Sequence, residues 1–186
     1  NSLAEYGWVA GLFFFDSREN LERSYTFLTN NFLSSYDFKT YALFGEAESE
    51  FWFGTNISAG VRLERRETTY LNSDAANFSP AETLWGGELG IKREFGTNFF
   101  GYTSIARGFK AGGFNTDGTL DKDLREFDGE YLIEYEAGIK GRFDEKSMNI
   151  RLAVFHDKRK SQQVKSSILK SRSDGSTEFI DFLGNA

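Results

Sequence analysis

The stretch Asn56, Ile57, Ser58, Ala59, Gly60, Val61, Arg62, Leu63, Glu64 alternates without a break. Ile57, Ala59, Val61 and Leu63 fall on one side of an extended chain; Ser58, Gly60, Arg62 and Glu64 fall on the other. One side is apolar and the other carries charge. The same split returns over 133–142, where Ile133, Tyr135, Ala137 and Ile139 oppose Glu134, Glu136, Gly138, Lys140 and Arg142. Over 149–157 it weakens, because Ala153 and Phe155 share the side of Asn149, Arg151 and Asp157, yet Ile150, Leu152 and Val154 keep the other side apolar.

Length separates two readings of this pattern. A globular strand averages about 5–6 residues, whereas a tilted membrane-spanning strand needs about 9–11. The runs 5–15, 36–50, 56–66, 83–95, 98–110, 130–143 and 147–164 all reach that length. Residues 177–183 form a shorter run, and 165–170 either extends the strand before it or stands alone. Eight strands are expected, nine if 165–170 counts separately. The fold class is therefore all-β: an antiparallel transmembrane β-barrel segment of about 8–9 strands, with residues 1–186 a single partial barrel domain.

The connections support this. Tight ones at 51–55, 95–98 and 144–147 carry the Gly, Asn, Asp or Ser that hairpin turns favour. Long ones at 16–35, 67–82, 111–129 and 165–176 are rich in polar residues and Gly. In a membrane barrel short turns face the periplasm and long loops face outward. Binding usually resides in such loops, although any single loop residue is more simply read as surface spacer.

Composition narrows the function classes. Cysteine is absent, which removes disulfides, Cys-ligated zinc and thiol nucleophiles. The single proline, Pro80, sits in an expected loop, sparing the ladders. The most apolar stretch, 8–15, is far short of the roughly 20 residues a helix needs to cross a bilayer. Net charge is −6 from 22 basic and 28 acidic residues, well mixed, so nucleic acid is not an expected partner. Aromatic residues make up 17% of the chain, and Tyr6, Trp8, Phe51, Trp52, Phe53, Trp85, Phe95, Phe99, Phe100 and Tyr102 lie near strand ends, where barrels place interfacial girdles. No start Met, basic n-region or signal h-region is seen, so the natural protein is expected to begin earlier.

The segment from Tyr102 to Asn115 (Tyr-Thr-Ser-Ile-Ala-Arg-Gly-Phe-Lys-Ala-Gly-Gly-Phe-Asn), and then Glu130, Tyr131, Leu132, Glu134, Tyr135, Glu136, Ala137, Gly138, Ile139, Lys140 and Gly141, resembles a TonB-dependent outer-membrane receptor. In that family a barrel strand runs into a Gly-rich extracellular loop and is followed by the next strand. Ala153, Val154, Phe155 with Gln162, Gln163, Val164 fit the strand after it, and Gly184, Asn185, Ala186 resemble the start of a further one. Tyr41 to Gly45 and Ala59 to Arg62 are compatible. The chain departs from the family at Gly129, where proline is frequent, and at His156, where an aromatic is frequent. It also shows no plug domain, no TonB-contacting box and no terminal aromatic strand. The resemblance implies a middle-to-late piece of a barrel of 22 strands whose lumen a plug blocks. It further implies a Gram-negative outer-membrane location, surrounding lipid, TonB as a partner acting through the missing plug, and a metal chelate or other scarce nutrient as solute. The full-length protein is expected to be monomeric; the isolated piece, with two open edges, is expected to curl or self-associate.

Candidate residues follow. Glu46, Glu48, Arg62, Glu64, Glu88, Lys92, Glu134, Glu136, Lys140, Arg142 and Arg151 would line the lumen and contact the plug, because Arg or Lys facing lipid would cost about 2–4 kcal/mol at the midplane. The same charges would be the solvated face of a soluble sheet. Gly60, Gly90 and Gly138 would leave room for plug backbone or ease curvature. Arg107, Phe109, Lys110, Phe114 and Asn115, at the mouth end of the signature strand, would offer charge and stacking to an anionic chelate; the alternative is that they shape a tight loop and pack the rim. His156, alone and on the apolar side, lacks the partners a metal site needs. Glu134 and Glu136, two apart on one face, are better suited to cross-strand bonding than to glycosidase chemistry. No catalytic constellation, metal site or cofactor is expected. The leading function is an energy-coupled outer-membrane receptor for a scarce solute, for which ferric siderophores are one family substrate. A passive porin-type barrel and a soluble β-rich binding domain are the alternatives; a plug sequence upstream would exclude the first, and solubility without detergent would favour the second.

Overall fold

The computed structural model describes residues 6–24, 26, 29–52, 54–143, 148–171 and 175–186, with the side chain of residue 52 left aside. The elements in chain order are β1 (Tyr6–Arg23), β2 (Phe32–Trp52), β3 (Thr55–Asn72), β4 (Asn77–Phe78), β5 (Ala81–Phe95), β6 (Phe99–Lys110), β7 (Gly113–Phe114), a 3-10 turn (Lys122–Leu124), β8 (Glu126–Phe127), β9 (Glu130–Phe143), β10 (Met148–Lys160), β11 (Gln163–Ser171) and β12 (Thr177–Asn185). One antiparallel sheet runs β1-β2-β3-β5-β6-β9-β10, with β4 attached to β3; β11 and β12 form a separate hairpin, and β7 pairs with β8. Each long strand of the sheet pairs with its sequence neighbours, as an up-and-down wall requires.

The wall strands are longer than expected, and the loops correspondingly shorter. Much of the expected loop 16–35 is ladder, since β1 and β2 stay in register out to Arg23 and Phe32. β3 likewise continues to Asn72. Strand pairing needs no lipid, so the ribbons continue into water, where outward charges pair: Arg18 with Asp37 at 3.1 Å and Arg65 with Glu67 at 3.6 Å.

A second difference lies near the end of the chain. The expected strand 147–164 stops at Lys160, because Ser161 takes a left-handed backbone (φ 54°) and redirects the chain. The expected loop 165–176 is instead largely β11, paired from Ser171↔Thr177 to Gln163↔Asn185 with β12. Residues 177–183 therefore belong to this hairpin, not to the wall. Gly54 (φ 69°) and Gly96 (φ 65°) supply the positive backbone angles of two tight turns. The expected turn 144–147, and Phe53 among the girdle residues, lie outside the described residues.

Register assigns every side chain a face, because directly opposed residues point the same way. The apolar face carries Leu12, Leu43, Leu63, Leu89, Ile105, Tyr135 and Leu152, and it is open: Leu12 is 84% and Leu152 65% exposed. Among the described residues none covers it. A soluble sheet would bury this surface; here it forms a continuous apolar exterior.

The limit of this exterior also reports strand tilt. Following register from Lys158 through Ile133, Arg107, Gly87, Val61 and Gly45 leads to Ala10. That position is six residues before Asp16, the first outward charge on β1, while Lys158 is the first on β10. A fall of about six residues over six strand steps, at roughly 3.4 Å per residue and 4.8 Å per strand, corresponds to a tilt of about 35°. Membrane barrel strands tilt by about 35–45°. Phe95, Phe99 and Phe143 form an aromatic rim at the short-turn end, with Phe99 and Phe143 edge to face at 5.5 Å. Phe100 and Tyr102, expected in such a girdle, have the opposite parity and lie on the charged face.

The small buried core sits at the long-loop end of that charged face. Leu84 (0% exposed), Tyr70 (1%) and Phe32 (3%) are covered there. The β6–β9 connection folds back over them: Phe114 stacks on Tyr70 at 6.2 Å and meets Phe78 at 5.1 Å, and Tyr70 donates to the Thr116 carbonyl at 3.4 Å. Gly112 makes the fold-back sterically feasible. A Cβ there would lie 2.6 Å from the Phe127 carbonyl oxygen and 3.1 Å from two backbone atoms of residues 128 and 129.

Two outcomes test this architecture in the full-length protein. V61R, outward at mid-wall, should cost about 2–4 kcal/mol in unfolding from lipid vesicles, with S58R on the other face costing well under half of that; equal losses would refute the assignment of faces. G112A should destabilise docking of the 111–129 segment by about 1–3 kcal/mol, read as faster proteolysis within it while the wall stays resistant. Unchanged cleavage would show that the segment does not need the close approach.

Candidate functional site

The charged face is layered by register. One row across the sheet runs Val9, Glu46, Gly60, Glu88, Ala106, Glu134, Asp157, so Glu46, Glu88 and Glu134 stand on alternate strands with only glycine or alanine between them, and Asp157 adjoins Glu134 on β10. Toward the short-turn end the cations Lys92, Lys140, Arg142 and Arg151 enter, with Glu50 and Glu94 among them. The candidate lumen residues thus share one face, in an acidic belt beside one where both signs mix.

Bonds within and between strands hold many of these groups. Arg62 donates to Glu64 at 2.6 Å and lies over the Phe13 ring at 5.0 Å. Lys92 bonds Glu48 across β3. The Tyr102 hydroxyl donates to Glu136 at 2.5 Å, and Lys140 rests over the Phe100 and Tyr102 rings at 5.7 and 5.0 Å. A charge paired in this way is stabilised in place yet remains at the wall surface, able to meet a partner laid against it.

A groove of about 430 Å³ crosses this face, bordered by Glu46, Arg62 and Glu88 and floored by Gly60, Gly86, Ala106 and Gly108. Of the glycines expected to leave room, Gly60 does so: the nearest atom to an added Cβ would be 3.7 Å away. Gly138 does not, because the Tyr102 ring fills its space, with ring atoms 2.5–2.6 Å from such a Cβ; at Gly90 the Ser58 Oγ would be 2.7 Å away.

The five mouth candidates do not converge. Arg107 and Phe109 have apolar-face parity, opposite Ile133 and Tyr131. The Arg107 guanidinium is held between the Trp85 ring at 4.0 Å and the Tyr131 ring at 4.3 Å, and it also donates to the Trp85 carbonyl. It faces away from the lumen. Lys110, paired with Glu130, is on the charged face. Phe114 belongs to the buried ring cluster. Asn115 is spent on structure: its Nδ2 donates to the Leu124 and Leu183 carbonyls at 2.9 and 2.8 Å, and its Oδ1 accepts from the Leu183 N–H at 2.8 Å.

Asn115 is one of three amides that clasp the β6–β9 connection to the β11–β12 hairpin. Gln163 Nε2 donates to the carbonyls of Ala111 (2.8 Å) and Asp128 (3.0 Å), and Asn185 bonds the backbone of Asp128 in both directions. Within the connection, buried Arg125 donates to the Leu120 and Gly118 carbonyls at 3.0 and 2.7 Å, closing the turn around itself. Glu82, above the apolar band, accepts from the Gly112 N–H at 2.9 Å; burial raises its carboxyl above the usual range against the opposing pull of that bond and of Arg66. Sequence reading missed Gln163, Asn185, Arg125 and Glu82 as mouth residues. Polar side chains at the first and last positions of β11 and β12 were the available signal, but their partners lie far along the chain. His156 stacks on Tyr135 at 6.4 Å on the apolar face.

The comparisons with known proteins agree with this geometry. The pesticin receptor of Yersinia enterocolitica is 28% identical over 170 residues, covering 85% of this chain and 25% of its own length; that of Yersinia pestis is 27% identical over the same extent. The crystal structure of the ferric yersiniabactin uptake receptor from Yersinia pestis superposes with a TM-score of 0.68 at 23% identity, over 86% of this chain and 26% of that one. The ferric-catecholate import receptor from K12 E. coli, in its closed form, gives 0.68 at 12% identity, over 94% and 30%. The two structural likenesses establish the fold, and the chain spans about a quarter of the length of these relatives. The family of TonB dependent receptor-like β-barrels matches residues 2–182. Its members are receptors of the Gram-negative outer membrane and not enzymes, and this chain belongs to that family.

Proposed function

We propose that this chain is a wall segment, with its outer loops, of a receptor that takes up a scarce solute of the ferric-chelate kind across the Gram-negative outer membrane, driven through TonB. The observation that carries the reading is the barrel-family match over residues 2–182. Relatives of known structure named for ferric yersiniabactin and ferric catecholates point to iron chelates as the solute class.

The residues take roles consistent with that. Residues 1–186 form one barrel domain, and the plug lies in a part of the receptor outside this stretch. The groove over Gly60, with Glu46, Glu88 and Arg62 at its borders, is a seat for plug backbone, because a glycine floor admits close approach and the flanking charges can bond amides. Glu64, Lys92, Glu134, Glu136, Lys140, Arg142 and Arg151 extend that contact over the wall. Lys110 remains a solute contact at the mouth. Phe114 and Asn115 shape the mouth without touching solute, and Arg107 and Phe109 serve the exterior. Surrounding lipid covers the apolar face, and further strands close the edges at β1 and β10, leaving a monomer.

A passive porin would pass solute without an energy source, and that difference supplies the test. The full-length receptor, expressed in an iron-starved strain lacking its own chelate receptors, should restore growth on ferric yersiniabactin or a ferric catecholate. The gain should vanish when TonB is deleted or the proton gradient is collapsed. Uptake that persists without TonB would sink the energy-coupled reading, and no growth on any iron chelate would sink the solute class.

A further inference from the structure

The connection between β6 and β9 meets the wall through two kinds of contact. One is the ring cluster of Tyr70, Phe78 and Phe114. The other is a single carboxyl, that of Glu82 near the start of β5. Its Oε1 accepts from the Gly112 N–H at 2.9 Å. Its Oε2 lies against the other leg of the connection, where a Cβ added to Gly129 would be 3.3 Å away. Both legs of the 111–129 segment therefore meet on one half-buried acid.

The charged groups around this acid oppose one another. From β3, Arg66 stands opposite it in register and attracts, while Glu64 repels, although Arg62 already holds Glu64 at 2.6 Å. Arg66 is itself drawn over the Phe38 ring at 4.4 Å and toward the Tyr36 hydroxyl at 3.4 Å. From the connection, Asp128 repels, and Glu126 borders the same cavity of about 160 Å³. β6 brings Lys110 to the charged face two residues before Gly112. On β9, Glu130 is taken up by Arg159 at 3.2 Å and by the Gln163 N–H at 2.7 Å. Loss of water from Glu82 is the largest influence, and the repulsion of Asp128 and Glu64 adds to it. Together they outweigh the Gly112 bond and Arg66, so docking raises the carboxyl above its ordinary range.

We propose that Glu82 is a proton-operated latch on the mouth: with its proton it holds the 111–129 segment against the wall, and on losing the proton it weakens that hold. The protonated carboxyl keeps an oxygen for the Gly112 N–H, so the bond survives while the penalty of a buried charge disappears. Deprotonation sets a charge against both legs of the connection and beside two further acids. When the segment lifts, water reaches Glu82 and its carboxyl returns to the ordinary range. Docking is therefore strongest below that range and weakens as pH rises through the higher value of the docked state. The latch rests on the reading of this end of the wall as the mouth of an uptake receptor, and it does not depend on which solute is carried.

The test places a nitroxide spin label at K122C, an exposed position of the connection, in an otherwise cysteine-free full-length receptor in lipid vesicles. Label mobility is followed from about pH 4 to about pH 8. With Glu82 in place, the mobile fraction should rise several-fold with pH. E82Q keeps an acceptor for the Gly112 N–H and never ionises, so it should hold the mobile fraction near its acid level. E82A, with no acceptor, should raise it at every pH. Other acids of the connection titrate in both backgrounds, so the difference between Glu82 and E82Q isolates the latch. No rise with Glu82 in place, or an equal rise in E82Q, would overturn the proposal. Heat-modified gel migration verifies that each variant is folded. Growth on iron chelates at one fixed pH reports separately, so failure here leaves the uptake reading standing.

Discussion

A peptide group in hydrocarbon has no water to bond, and each one left unpaired costs several kcal/mol. The seven long strands of the wall meet that constraint by pairing each with its neighbours along the chain, in a register interrupted only by a shift after Glu50 at the short-turn end of β2. The requirement also explains why proline is confined to residue 80, between β4 and β5, where its missing N–H interrupts no ladder. Its carbonyl still accepts from the Thr68 N–H at 3.0 Å. A sheet with two open edges satisfies the constraint only within a larger closed circuit of strands.

Once the ladder is fixed, side chains have one binary choice, and much of the chemistry follows from it. Glycine and alanine between Glu46, Glu88 and Glu134 keep that row of acids shallow. The same parity sends Arg107 outward, although it is one residue from a glycine and three from Lys110 in a stretch that otherwise feeds the mouth. A cation on the exterior is tolerable there because the penalty for Arg or Lys on a lipid face falls from about 2–4 kcal/mol at midplane to about 0–1 at the interface. The roughly 35° slope between the first outward charges of β10 and β1 records that penalty at the two ends of the wall, with Arg107 on β6 lying below the line.

What could be read from the chain divides along the same line. The alternation from Ile57 to Glu64 and from Ile133 to Arg142 was readable because period two depends only on neighbours. The position of Arg107 was readable too, since it shares parity with Ile105 and Thr103; family likeness and proximity to the Gly-rich loop drew it to the mouth instead. The outer ribbon from Asp16 to Arg23 was not, because above the lipid both faces are polar and the pattern fades while the pairing continues. The turn at Ser161 was hidden for another reason: a left-handed serine carries no composition signal, so β10 and β11 read as one run. The amide clasp was beyond reach, since nothing local to Asn115 indicates the backbone of Leu183.

That clasp has a kinetic side. Asn115 and Leu183 are 68 residues apart in sequence, whereas the wall grows by joining each strand to the one just before it. Closing so long a loop has a large entropic cost until the intervening strands β9 and β10 are already in place and have shortened the effective path. The mouth is therefore assembled last. Having formed last, the hairpin side of the mouth, held by a few polar bonds at the water surface and not by the buried ring cluster, is also the part that opens first when the rest of the wall remains closed. In this fold the order of assembly along the chain sets which part of the finished protein is free to move.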